Sequence, residues 1–63
     1  MNKIKQIRNN MGITVRELSN KSNVAVGYIS TLENDEKEES NPSKDVMERI
    51  SKALNSTVPE IFY

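Results

Sequence analysis

The chain has 63 residues, 29% of them charged, with nine basic against nine acidic residues and neither cysteine nor histidine. A chain this short folds as one domain and buries only about 60% of its unfolded surface, so its core is thin. The missing cysteines exclude a disulfide framework and a thiolate metal site, and the missing histidines remove the usual general base and the commonest zinc ligand. No apolar run approaches the roughly 20 residues that span a bilayer, and the opening residues lack a signal-peptide core, so a cytoplasmic protein is expected. Zero net charge by itself argues against a nucleic-acid partner. The distribution points the other way: residues 1–31 hold five basic residues against Glu17 alone, a net of +4, while residues 32–63 hold four against eight acids, a net of −4. Such a dipole can present a basic face at neutral overall charge, because steering depends on local potential. Chance scatter of surface charges is the competing reading.

Helical spacing dominates the chain and strand alternation is absent. Ile4, Ile7 and Met11 recur at i, i+3 and i+7 and predict a first amphipathic helix over about Asn2 to Asn10, ended by Gly12 in a left-handed cap. Thr14 with Glu17 three residues on reads as a capping box that opens a second helix, with Val15, Leu18 and Ser22 on one face. That helix stops near Asn23, which tolerates the left-handed region nearly as well as glycine, and Val24 packs beneath the turn. A third helix is expected from about Val26 to Asn34, with Ile29 and Leu32 inward and Tyr28 beside them. The polar, mostly acidic run from Asp35 to Pro42 reads as an exposed loop. Ser43 then caps a fourth helix with Asp45 in its first turn and a buried stripe of Val46, Ile50, Ala53 and Leu54, flanked by Met47. Asn55 follows as a left-handed terminator. Thr57 and Glu60 form a second capping box before a last short turn, with Pro59 where its missing N–H costs little and Val58, Ile61 and Phe62 turned inward. With no internal repeat or linker, residues 1–63 read as a single all-α bundle of about five short helices.

Two short helices joined by a tight turn, the second too polar outside to be buried, match the needs of a helix-turn-helix over about residues 14–34. The close crossing needs a small residue in the first helix, met by Ser19. The turn needs a residue tolerant of positive φ, met by Asn23, and apolar residues after it and in mid-helix, met by Val24 and Ile29.

The stretch GITVRELSNKSNVAVGYISTLEN resembles the Cro/CI-type (XRE) helix-turn-helix, and the likeness continues through NPSKDVMERISKALNSTVPEIF, nearly the whole chain. Within that family, VAVGYISTLE followed by an extended loop and NPS is most similar to the SinR-type DNA-binding domain. The resemblance implies a five-helix, lambda-repressor-like fold, dimeric binding to double-stranded DNA, and transcriptional regulation, with repression expected. It implies that Arg8 and Glu33 pair beneath the motif as a structural pair; two unrelated exposed charges, worth under about 1 kcal/mol, are the alternative. Val26, Gly27, Ser30 and Thr31 match base-facing positions of the recognition helix, residues 26–34. Thr14, Arg16, Tyr28, Lys37, Asn41, Ser43 and Lys44 match or adjoin positions that touch the DNA backbone. The wealth of Asn, Lys and Ile suggests an AT-rich bacterial or phage genome.

The chain departs from the pattern in ways that bear on readout. Val15 stands where the family often has a glutamine that meets DNA, and Ala25 replaces the usual Ser or Thr cap, a loss of about 1 kcal/mol. Val26 and Gly27 lack the bidentate donors that read guanine or adenine, and Gly27 costs about 1 kcal/mol against alanine in a helix. Either a bare helix start lets the backbone approach a phosphate or base edge while Val26 meets thymine methyls, or specificity is weak. Asp35, Glu36, Glu38 and Glu39 lack the alternation and glycine of a calcium loop and read as solvated, pointed away from DNA. Dimerisation is expected through the C-terminal cluster of Val58, Ile61, Phe62 and Tyr63, with Ile61 assigned to the core and Phe62 or Tyr63 to the contact. A helix-turn-helix module that pairs with a protein co-regulator and hardly binds DNA is the alternative function. Without His or Cys no nucleophile–base arrangement is present, so no enzyme and no cofactor are expected.

Overall fold

The computed structural model describes residues 2–35 and 41–63, and these form five helices with no strand among them. In order they are α1 (Ile4–Met11), α2 (Val15–Ser22), α3 (Val26–Glu33), α4 (Lys44–Ala53) and α5 (Val58–Phe62). α1 starts two residues later than spacing predicts. The Asn2 side chain accepts from the Ile4 N–H at 3.1 Å, so Asn2 acts from outside the helix. Its amide Nδ2 also donates to the Leu32 carbonyl at 2.9 Å, tying the start of α1 to the end of α3. The Lys3 N–H donates to the Ile61 carbonyl at 3.0 Å, tying the same end to α5.

The helix boundaries follow the punctuation in the sequence. Gly12 closes α1 at φ 72° and Asn23 closes α2 at φ 58°, both left-handed. Asn55, just past α4, takes φ 53°, the third such position. Capping boxes form at both predicted places, Thr14 with Glu17 and Thr57 with Glu60.

Ile4, Leu18, Val24, Ile29, Leu32, Ile50, Leu54 and Ile61 make one core, with Ile7, Ile13, Val15, Val46, Ala53 and Phe62 packed partly buried against it. Every helix contributes, and α2 lies against both α3 and α4. Ser22 is buried at the end of α2, where its hydroxyl donates to the Leu18 carbonyl at 2.7 Å. Met11 departs from expectation: it shares the inward face by spacing yet remains 37% exposed. It stands at the last residue of α1 on the rim of a groove, and periodicity gives a side chain's direction but not how far the neighbouring cover extends. Tyr28, placed beside the core by spacing, is likewise 37% exposed on the outer side of α3.

Candidate nucleic-acid interface

The start of α2 is self-contained. Thr14 Oγ1 accepts from the Glu17 N–H and Glu17 Oε1 accepts from the Thr14 N–H, both at 3.0 Å, so two otherwise orphaned donors are satisfied. Arg16, one residue into the helix, is exposed with no ion pair among the described residues. Val15, beside it, is half-buried against the core, which accounts for an apolar residue at that position.

The start of α3 is built differently. Ala25 offers no side-chain cap. Val26 follows, 41% exposed, and then Gly27, over whose Cα nothing lies within 4 Å of where a Cβ would sit. Gly27 has an ordinary helical backbone, so neither strain nor crowding inside the domain calls for glycine. Thr31 is exposed one turn on, and its hydroxyl donates to the Gly27 carbonyl at 3.0 Å. That donor is engaged within the helix, so Thr31 offers a partner its methyl group and oxygen lone pairs. Ser30 is half-buried on the same stretch, and its carbonyl accepts from the Asn34 side chain at 2.9 Å.

What holds α3 lies behind it. Arg8 Nε donates to Glu33 Oε2 at 2.9 Å and a terminal nitrogen donates to Glu33 Oε1 at 3.0 Å, a two-pronged pair. The second terminal nitrogen of Arg8 reaches the Ile13 carbonyl at 2.9 Å. One guanidinium thus joins α1, the turn before α2, and the end of α3. The two side chains are only 11% and 5% exposed, so this is a desolvated pair rather than a surface one. The hydrogen bonds that Arg8 donates to Glu33 raise the Arg8 pKa above its already high value, against the opposing effect of burial.

At the start of α4, Ser43 Oγ accepts from the Val46 N–H at 3.2 Å. Lys44 is exposed and only 4.0 Å from Glu48, an ion pair too loose and solvated to hold its charge back. Asn41 is exposed beside them. Lys37, together with Glu36, Glu38 and Glu39, lies outside the described residues. The three helix starts therefore supply Thr14 and Arg16, Val26 to Thr31, and Asn41 to Lys44. The pairing also revises the charge reading, because Arg8 in the basic half is neutralised by Glu33 from the acidic half. Of the remaining cations of residues 1–31, Lys3, Lys5, Arg16 and Lys21 are all exposed and none has an ion pair within 4.0 Å among the described residues.

A helix-turn-helix family model matches residues 4–61 of the chain. The chain belongs to the Cro/CI-type helix-turn-helix family of DNA-binding regulators. No curated protein and no solved structure shows a significant match to it. In this helix-turn-helix domain α2 and α3 are the paired helices, Asn23 makes the turn, and the fold is of the lambda-repressor-like kind. No helix among the described residues is long and apolar enough to cross a membrane. Asn2 escaped sequence reasoning as a support of α3: an Asn ahead of a helix signals a cap, but its second bond, 30 residues away, has no local signature.

Proposed function

We propose that this domain is a sequence-specific transcriptional repressor that lays α3 in the major groove of duplex DNA. The observation that carries this reading is the asymmetry of α3. Its inner side is secured by Ile29, Leu32 and the buried Arg8–Glu33 pair, while its outer side leaves Val26 and Tyr28 exposed around an unhindered glycine. A helix in a small domain gains nothing internally from that outer composition, and it suits close approach to a flat, patterned surface. Val26 and the methyl of Thr31 meet thymine methyls, Gly27 lets the backbone come near, and Ser30 adds a hydroxyl. Thr14, Arg16, Tyr28, Asn41, Ser43 and Lys44 contact the phosphates, with Lys37 as a further cation.

The longest dimension of one domain is 26 Å, short of the roughly 34 Å of one DNA turn. Two protomers related by two-fold symmetry are therefore needed to read successive half-sites. Tyr63, 88% exposed, is the candidate contact between them, since Phe62 already packs against the core.

Fluorescence anisotropy with a randomised duplex pool and then with selected duplexes, from about 50 to 200 mM salt, tests the reading. An enriched symmetric or repeated motif is expected. With Arg16, Lys44 and Lys37 as the phosphate cations, the logarithmic salt slope should be about −2 to −3 per protomer. The exposed apolar pair Val26 and Tyr28 also favours a second reading, a module that docks a protein co-regulator through α3. A flat salt response without sequence enrichment would replace the first reading with that one.

A further inference from the structure

Away from those three helix starts, a groove of about 390 Å³ opens where α1, α2 and α4 end. Lys21, Arg49 and Lys52 line it together with Met11 and Ala53, and no carboxylate lines it. Lys21 and Lys52 each stand in the last turn of a helix, where a cation opposes the partial negative charge of the helix end. That accounts for each lysine separately. It does not account for three cations converging on one concave surface around a methionine that is 37% exposed.

The cations are available. Lys21 and Lys52 have no ion pair among the described residues, and Arg49 shares only an exposed contact of 3.2 Å with Asp45, one turn back along its own helix. The apolar part is Met11 with Ala53, and methionine is the side chain best able to reshape itself around another surface. The groove is more open than enclosed, whereas small-molecule sites cover most of their ligand. A chain segment that crosses the groove, with carboxylates at its rim and an apolar side chain on its floor, matches both charge and shape.

We infer that this groove docks an acidic protein segment carrying an apolar anchor side chain. The carboxylates pair with Lys21, Arg49 and Lys52, and the anchor seats on Met11 and Ala53. The site is separate from the candidate DNA face, because α2 and α4 turn their N-terminal ends to that face and their C-terminal ends to the groove. Along these helices Lys21 and Lys52 stand six and eight residues beyond the first, about 9 and 12 Å of helical rise, with Arg49 midway along α4. The domain can therefore hold such a partner while its other face is occupied, and the inference does not depend on the DNA reading.

The test is a titration of the isotope-labelled 63-residue chain with a short synthetic helical peptide bearing glutamates around two leucines one turn apart, followed by amide NMR shifts. A counterpart peptide with glutamine in place of glutamate serves as control. Shifts concentrated at Met11, Lys21, Lys52 and Ala53 are expected, with the glutamine peptide far weaker. Lys21→Gln with Lys52→Gln should weaken binding about tenfold, and Met11→Ala severalfold, with the chain still folded and the melting temperature lowered only by the modest loss of two helix-end charges or of one half-covered side chain. Shifts spread equally over Lys3, Lys5 and Arg16 would show unspecific charge attraction and overturn the inference. Equal binding of the two peptides, or no shift at millimolar peptide, would also overturn it. Loss of duplex affinity in the lysine double variant would assign the groove to DNA instead.

Discussion

α2 and α3 have equal length, eight residues each, and only three residues separate them, yet their N-termini are built in opposite ways. α2 begins with a reciprocal capping box between Thr14 and Glu17, so its first turn is stabilised by its own sequence. α3 begins with Ala25, an exposed valine and a glycine, and nothing local favours its first turn. Its stability comes from its other end and from behind, through Ile29, Leu32, the Asn2 bond to Leu32 and the Arg8–Glu33 pair. A helix secured from the rear can leave its front without caps or side chains, and the front is then free for a partner. A helix that caps itself contributes a rigid strut instead.

The comparison is easiest to break at its rear anchor. Arg8→Ala should cost about 3–5 kcal/mol in urea unfolding, because it leaves the buried Glu33 carboxylate without a partner. A loss below about 1 kcal/mol would mean that α3 is not held from behind. Next in size is the contrast along α3 itself. Ile29→Ala should destabilise by about 2–5 kcal/mol, since Ile29 is fully buried, whereas Val26→Ala should move the melting temperature little and duplex affinity much.

The two helix starts should respond with opposite sign. Thr14→Ala should lower stability by about 1 kcal/mol by removing a cap that exists. Gly27→Ala should raise it by about 1 kcal/mol, because a Cβ there meets open space and alanine favours the helix. If Gly27 serves close approach to DNA, that stabilised variant should bind duplex more weakly; unchanged affinity would separate the bare start of α3 from function. A smaller gain is expected from Ser51→Ala. The Ser51 hydroxyl is buried with no hydrogen-bond partner among the described residues, so its removal should stabilise the domain by up to about 1 kcal/mol.

The smallest effect concerns α5. Hydrogen bonds from the Thr57 hydroxyl side and backbone hold the Glu60 carboxyl below its ordinary value of 4.5. A carboxylate depressed in the folded state stabilises above its unfolded pKa, and that stability is lost as pH falls through the folded value. Acidification below about 4.5 should therefore loosen α5 before the core melts, visible as early loss of the Thr57 and Glu60 amide signals. Simultaneous loss of all amides would show that the box at α5 contributes nothing separate.

Much of the fold was legible because short helices are specified locally. Gly12, Asn23 and Asn55 terminate helices by their tolerance of positive φ, and two boxes spaced three residues apart start them. The apolar pattern within the helices, with Val24 placed by its position after the turn, named all eight core residues, since each must face inward for any compact arrangement of these helices. Boundaries were less legible where a side chain acted from outside its helix, as Asn2 does at α1. Among the candidate site residues, Thr14 and Ser43 were marked by spacing as caps, and the others only through the family resemblance. Apolar spacing was silent on the exposure of Met11, which depends on how far neighbouring helices extend.

By itself, then, the order of residues determined five helices, their ends and their inward faces, because these follow from φ preferences and from contacts within about four residues. The family resemblance already implied the Arg8–Glu33 pair; only the tertiary structure decided that Arg8 also serves the Ile13 carbonyl, that Asn2 reaches Leu32, and that Lys21, Arg49 and Lys52 meet around Met11. Those partners are up to 41 residues apart in sequence, and their meeting depends on the angles at which helices pack, which no local preference encodes.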